Sequence, residues 1–144
     1  MAPAPTYLAM RYQRAESPAQ LNGFEAASRF FKSCFAQDDR SRERLWVAHV
    51  DESARCIHLE RYEGDRWSAE MPVRSIISDA ARLGSAGVVL AHNHPGGDNS
   101  PSQADCLATR ALTRAAEPID LIVVDHLIYA KGTDCRSMRR LGYL

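Results

Sequence analysis

Apolar and polar positions alternate with different periods along the 144-residue chain, and each period predicts a type of element. Residues 17–37 carry apolar side chains at helical spacing, and we expect a helix with Ser17 as N-cap and Pro18 at its first position. Strand-forming residues fill 44–50 and 54–62, which predicts an antiparallel pair. A short strand is expected over residues 67–72.

The second half of the chain alternates between amphipathic segments and continuous apolar runs. The amphipathic segments predict helices, and the apolar runs predict buried central strands. The predicted helices cover residues 72–84, 101–116 and, at the C-terminus, 135–141, and the predicted strands cover 86–92 and 119–130. On the helix over 101–116, the side chains expected to face inward are Cys106 or Leu107, Ala111, Leu112 and Ala115.

The order of these elements predicts an α/β fold, with a mixed sheet flanked by helices. Residues 1–16 contain two prolines and no clear period, so we expect an N-terminal arm there and a single domain over 17–144.

Composition narrows the classes of function. Lys+Arg and Asp+Glu both number 18, so the net charge is zero and does not favour binding to nucleic acid or to an anionic membrane. No run approaches the roughly 20 apolar residues of a membrane span, and residues 1–16 contain no apolar core typical of a signal peptide, so we expect neither a membrane span nor export. The four cysteines form no C-x-x-C pair, so a reduced, cytoplasmic protein is expected.

The candidate chemistry lies where the first buried strand ends, in the sequence AHNHPGGDNSPSQAD. His92 and His94 are two residues apart, so both imidazoles point to one side of a strand and Asn93 points to the other. Asp105 follows in the first turns of the next helix, three residues after Ser102. Two histidines and one carboxylate leave a coordination position open, which is the arrangement of a catalytic zinc site.

Each part of this pattern also has a simpler interpretation. An H-x-H pair is commonly found in a surface turn, and Ser102 with Asp105 matches the capping box of a helix start. The occurrence of all these residues together, at the end of the most apolar strand, favours the metal site.

The spacing H-x-H-P, six residues, S-x-x-D resembles the signature of the JAMM (MPN+) metalloproteases, and the longer HNHPGGDNSPSQAD resembles their RadC branch. The similarity extends over about residues 40–144, through MPVRSIISDAARLGSAGVVLAHNHP, DHLIYAKG and RSMRRLGYL. It implies a three-layer JAB/MPN architecture akin to cytidine deaminases. A deaminase itself would need H-x-E and P-C-x-x-C, which are absent from the sequence.

Two departures from the RadC pattern are visible. Gly96 stands where family members usually have serine, and we expect little effect because that residue is not a ligand in the family. The helix-hairpin-helix module of full-length RadC is also not found, which removes the segment most suggestive of DNA binding.

The resemblance implies a zinc-dependent peptidase or isopeptidase that acts on a protein or peptide, with His92, His94 and Asp105 as ligands. The family's proton-carrying glutamate lies just before the first strand, where Glu43 is the match, and Glu52 and Glu70 are the alternatives. Ser102 is expected to hydrogen-bond the metal-bound water or the developing oxyanion.

The sequence leaves open two alternative functions and the roles of the remaining histidines. The chain could instead be a DNA-repair protein that binds nucleic acid, or a non-catalytic interaction module of the MPN type. Asp125 and His126 either orient a strand end or support a zinc histidine from behind. His49 and His58 are expected to be strand-face histidines without partners or function.

Overall fold

The computed structural model describes residues 19–63, 71–132 and 134–144. Its helices are α1 (Phe24–Phe35), α2 (Val73–Leu83) and α3 (Gln103–Ala116), followed by a 3₁₀ turn at Glu117–Ile119. Its strands are β1 (Arg44–Val50), β2 (Cys56–Glu63), β3 (Gly87–Asn93), β4 (Ile122–Tyr129) and β5 (Cys135–Ser137). The expected N-terminal arm, Ser17, Pro18 and most of the strand expected over 67–72 lie outside the described residues.

The five strands form one mixed sheet in the order β2-β1-β3-β4-β5. The pairs β2–β1, β1–β3 and β4–β5 are antiparallel, whereas β3 and β4 are parallel and are connected through α3. Every residue of β3 is buried, as expected for a central strand covered on both faces. The predicted α/β class, with helices on both faces of a mixed sheet, is confirmed.

Two hydrophobic clusters, one on each face, hold the three layers together. On one face, Phe31 and Phe35 of α1 pack with Trp46, Val89 and Leu127 of the sheet. On the opposite face, α2 and α3 pack against the alternate side chains of the same strands, among them Leu45, Val47, Val88 and Leu90. Burial of these side chains supplies the main favourable free energy of folding.

A β-bulge in β4 decides which side chains reach each face. Val88 pairs with Val123, but Val89 pairs with Asp125, so one extra residue is inserted at Val124. Val124 packs with the α1 cluster, and after the bulge Leu127 also faces α1. His126 is therefore turned towards the α3 side of the sheet, where it contacts Thr109 of that helix.

The first helix starts later than predicted. It begins at Phe24, after Gly23, whose φ of 103° lies in the left-handed region that favours glycine and interrupts the helix. The preceding residues pair with the β1–β2 turn instead, because the N–H of Leu21 bonds the carbonyl of Ala54 at 2.8 Å.

The inward face of α3 was predicted correctly at Leu112 but wrongly at Ala111, and the helix predicted for the C-terminal segment is not formed. Leu107 is 55 % exposed and Ala111 is exposed, whereas the buried side chains of α3 are those of Asp105, Thr109, Leu112 and Ala116. This face is set by polar contacts of Asp105 and Thr109, which a count of apolar residues overlooks. Residues 135–141 form β5 and turns rather than a helix, because β5 pairs with the free edge of β4. Within the described residues, no helix has the length and apolarity needed to cross a membrane.

Candidate metal centre

Three potential ligands converge where β3 meets the start of α3. The Nε2 atom of His92 lies 3.3 Å from Oδ1 of Asp105, and Nε2 of His94 lies 3.1 Å from Oδ2. The donor atoms of the three side chains all lie within 4.8 Å of one another. The structure thus brings together the two histidines and the carboxylate that the sequence singled out.

The capping box and the convergence of ligands coexist at Asp105. Its Oδ2 accepts a hydrogen bond from the N–H of Ser102 at 2.8 Å, and its own N–H donates to Oγ of Ser102 at 3.0 Å. The helix start therefore fixes the carboxylate in place, facing the two imidazoles. The two interpretations of S-x-x-D are compatible, since the cap positions the side chain that faces the histidines.

The charges of this group favour an ionised carboxylate. Burial alone would raise the pKa of Asp105, but its interactions with the nearby imidazoles of His92 and His94 outweigh that effect and hold the pKa well below its usual value. The hydrogen bond to Asp105 likewise raises the pKa of His94, against the opposing effect of partial burial. A cation placed between the carboxylate and the two imidazoles would meet an ionised oxygen of Asp105 and, once the rings are neutral, the lone pairs of the two nitrogens that face it.

His94 is oriented by the loop that follows it. Its Nδ1 lies 2.9 Å from the backbone oxygen of Asp98, which can only accept, so Nδ1 donates. In the neutral ring this leaves the lone pair on Nε2, the atom that faces Asp105. The loop is tied in turn to the end of β4, because the N–H of Lys131 bonds the carbonyl of Gly96.

His92 is oriented by a buried chain of hydrogen bonds. Its Nδ1 lies 2.7 Å from Nε2 of His126, and Nδ1 of His126 lies 2.7 Å from Oγ1 of Thr109. The single hydroxyl proton of Thr109 goes to the carbonyl of Asp105 at 2.7 Å, so Thr109 accepts from His126. His126 must then accept from His92, and the lone pair of His92 is left on Nε2, which faces Asp105.

The pair Asp125–His126 divides between the two roles that the sequence left open. His126 is fully buried, burial holds its pKa well below the usual value, and it contacts His92 directly. Asp125 faces away and anchors the C-terminal segment, since its carboxylate accepts hydrogen bonds from the hydroxyl of Ser137 and the N–H of Arg139. The β4 bulge separates these two roles.

Glu43 lies directly before β1, opposite His94. Leu45 pairs with His92, so the same antiparallel register continued by two residues sets Glu43 across from His94. The negative charge of Glu43 contributes to the raised pKa of His94, although less than the contact with Asp105. Glu43 is half-buried and makes no hydrogen bond with the candidate ligands.

The other candidates from the sequence lie elsewhere or play a different part. Ser102 is exposed at the start of α3, beside Asp105. Glu52 is an exposed turn residue at the far end of β1, away from the ligands, and Glu70 lies outside the described residues. A Cβ added at Gly96 would meet no atom within 4 Å, so the serine usual in RadC relatives fits here without rearrangement.

Sequence reasoning missed two side chains that support the site. Asn93 accepts a hydrogen bond from the N–H of Arg44 at 2.8 Å and donates to the carbonyl of Arg42 at 3.0 Å, so it fixes the backbone on both sides of Glu43. Thr109 completes the chain behind His92. The sequence signal for Asn93 was its position between two histidines, which turns its side chain to the opposite face of the strand. The signal for Thr109 was its position one helical turn after Asp105.

A comparison with protein-family models places these residues in a known family. The model of the RadC-like JAB domain matches residues 21–143, which is most of the chain. The protein belongs to the RadC-like JAB domain family. The residues of the candidate metal centre therefore lie inside a JAB domain, in agreement with the resemblance seen in H-x-H-P and S-x-x-D.

Proposed function

We propose that this JAB domain is a zinc-dependent hydrolase of amide bonds, acting on peptides or isopeptide-linked conjugates. The observation that carries the proposal is the convergence of His92 Nε2, His94 Nε2 and an Asp105 carboxylate within 4.8 Å. Two imidazoles and one carboxylate are a ligand set that catalytic zinc sites use, with one position left for water or substrate.

The donor chemistry fits zinc for reasons that lie in the surrounding protein. When its ring is neutral, each imidazole directs a lone pair inwards, since the Nδ1 atoms are committed to His126 and to the carbonyl of Asp98. Hydrogen bonding of the second ring nitrogen is the usual way in which proteins orient histidine ligands. A zinc ion bound there would polarise a substrate carbonyl and lower the pKa of a coordinated water towards about 7.

Glu43 is the proposed proton carrier. Hydrolysis of an amide needs a group that takes a proton from water and delivers it to the leaving amine. Glu43 is a carboxylate beside His94 that does not belong to the ligand set, and Asn93 holds its backbone. It is thus positioned to hold a proton at its carboxylate during the reaction.

Ser102 is proposed to stabilise negative charge on the substrate. Its Oγ accepts the N–H of Asp105, so the hydroxyl proton remains available for donation. Its exposure at the mouth of the site suits a contact with substrate. A donor aimed at a developing oxyanion is typically among the larger contributions to acyl-transfer catalysis.

Activity of the zinc-loaded protein on a panel of peptides and isopeptide conjugates tests the proposal. Glu43→Gln should keep zinc and fold while lowering turnover about 100-fold or more, the usual contribution of a general acid–base. Glu52→Gln is the matched control and should behave as wild type. Wild-type activity in Glu43→Gln would reject its role, and zinc loss in that variant would make Glu43 a ligand.

The same wild-type and variant proteins distinguish the hydrolase from the alternative functions. A non-catalytic interaction module would bind conjugates without cleaving them, and its affinity would not depend on Glu43. A DNA-binding protein would retard DNA in a gel-shift assay, and its affinity for DNA would fall steeply as the salt concentration rises. The intact set of His92, His94 and Asp105 favours the hydrolase over both.

A further inference from the structure

A second group of metal-binding residue types lies at the opposite end of the β1–β2 pair. His58 and Glu60 of β2 and Asp79 of α2 each offer one ligand atom, and these atoms lie within 4.8 Å of one another. Their side chains are only 21–25 % exposed. The group is therefore partly buried rather than fully solvated.

A buried histidine with an unsatisfied nitrogen lies behind this group. His49 of β1 is 0 % exposed and pairs with His58 across the strands, and the two ring centroids are 5.7 Å apart. Its Nδ1 bonds Oγ of Ser85 at 2.9 Å, but its Nε2 is buried and has no hydrogen-bond partner. A buried nitrogen without a partner costs about 1–3 kcal/mol, so a ligand at this position would remove a penalty.

The hydroxyl of Tyr62 gives a further observation at the same place. It is buried without a hydrogen-bond partner, and its burial is the main cause that raises the pKa of the phenol, with smaller contributions in the same direction from the negative charges of Glu60 and Asp79. An O–H donor and an imidazole nitrogen, both buried without a hydrogen-bond partner, thus both feel the charge of Asp79.

We propose that His58, Glu60 and Asp79 form a second binding site for a divalent transition-metal ion. An imidazole ligand favours zinc and its first-row neighbours, whereas calcium and magnesium prefer all-oxygen sites. His58 and Glu60 come from the edge strand β2, Asp79 comes from α2, and the buried imidazole of His49 lies beside His58.

This site is separate from the first centre. In the β1–β3 ladder His92 pairs with Leu45, whereas His49 pairs with Val88, four residue pairs further along. Four residues of strand span roughly 13 Å, too far for shared ligands. An ion bound there would connect the edge strand β2 to α2. It would compete for the carboxylate of Asp79 with the guanidinium of Arg82, which lies 3.2 Å from that carboxylate.

Calorimetric titration of chelator-treated protein with zinc tests the second site independently of the first. Asp105→Asn removes the first centre, and the asparagine oxygen can still accept the N–H of Ser102 that caps α3. In this background one zinc ion should bind per chain. Adding His58→Ala should weaken that binding by more than about 100-fold, beyond the loss typical of a supporting residue.

Glu60→Gln provides a second, less disruptive variant, and Glu52→Gln is its exposed control. Glu60→Gln should weaken zinc binding in the Asp105→Asn background, and Glu52→Gln should leave it unchanged, with circular dichroism confirming the fold. Absence of zinc binding in Asp105→Asn, or unchanged binding in both His58→Ala and Glu60→Gln, would overturn the second site. Either result leaves the hydrolase proposal at His92, His94 and Asp105 untouched.

Discussion

The side-chain oxygen of Asn93 accepts a hydrogen bond of 2.8 Å from the backbone N–H of Arg44. Asn93 stands between the two candidate ligand histidines, and Arg44 follows the candidate proton carrier Glu43. The alternation of side chains along β3 thus links the two halves of the site. The side chains of His92 and His94 face one side of the strand, while the side chain of Asn93 points to the other side and there holds the backbone next to Glu43.

Asn93→Ala is expected to impair turnover without loss of zinc. The change leaves the N–H of Arg44 buried without an acceptor, which should cost about 1–3 kcal/mol of unfolding free energy. It should also loosen residues 40–44, measurable as faster amide hydrogen exchange. Asn99→Ala is the control, because the hydrogen bonds of Asn99 are exposed. Equal stability and activity in both variants would refute the linking role of Asn93.

Thr109→Val should weaken zinc binding at the first centre from a distance. The valine has no acceptor for Nδ1 of His126, so the tautomers of His126 and His92 are no longer fixed. We expect the zinc affinity of the first centre to fall 10- to 100-fold, which is the loss typical when a residue that supports a ligand histidine is removed. Binding at the first centre is identified as the part of zinc binding that Asp105→Asn abolishes. Thr113→Val is the matched control, since Thr113 makes the same i−4 bond on α3 but has no contact with His126. Identical affinities in the two valine variants would contradict the proposed chain.

The metal-free protein should lose stability as the pH falls from about 6.5 to 4. Burial lowers the pKa of His49 to about 4, whereas in the unfolded chain it is near 6.5. The unfolded state therefore takes up a proton first, and the contribution of His49 is fully present above pH 6.5 and declines below it. The difference amounts to about 3 kcal/mol of unfolding free energy.

His49→Gln isolates that contribution. Urea unfolding in the presence of chelator should show a shallower pH dependence for this variant between pH 6.5 and 4. Because His126 is buried and neutral in both proteins, its contribution cancels in the comparison. Parallel curves for the variant and the wild type would mean that His49 is protonated equally in the folded and unfolded states.

Removal of zinc should leave the fold intact. The clusters around Phe31 and Leu90 bury both faces of the sheet without any contribution from a metal. Chelation should cost only the binding free energy, and amide protection should be lost mainly around residues 92–105 and, where the second site is filled, near Asp79. Global loss of protection would assign the zinc a structural role, as in domains that cannot fold without it.

Much of the candidate site could be predicted because it follows local rules. The i, i+2 geometry of His92 and His94 and the capping spacing of Ser102 and Asp105 are properties of single elements. The buried strand over 86–92 was likewise evident from its continuous apolar run, and β3 covers Gly87–Asn93. These features need no knowledge of distant parts of the chain.

The wrong predictions came from contacts between distant segments. The inward face of α3 is set by the hydrogen bond that Thr109 accepts from His126, and β5 replaces a helix because it pairs with the edge of β4. His49 and His58 were expected to lack partners, but they meet Ser85 and Glu60. Such pairings depend on strand order and on the β4 bulge, which hydrophobic periodicity does not encode.

The most direct test of the central claim is anomalous diffraction at the zinc absorption edge from crystals of the zinc-loaded protein. The account predicts a peak about 2.0–2.2 Å from Nε2 of His92, Nε2 of His94 and a carboxylate oxygen of Asp105. That peak should disappear in Asp105→Asn while the fold is kept. Absence of a peak among these three side chains in the zinc-loaded wild type would contradict the proposed metal centre and the hydrolase function that rests on it.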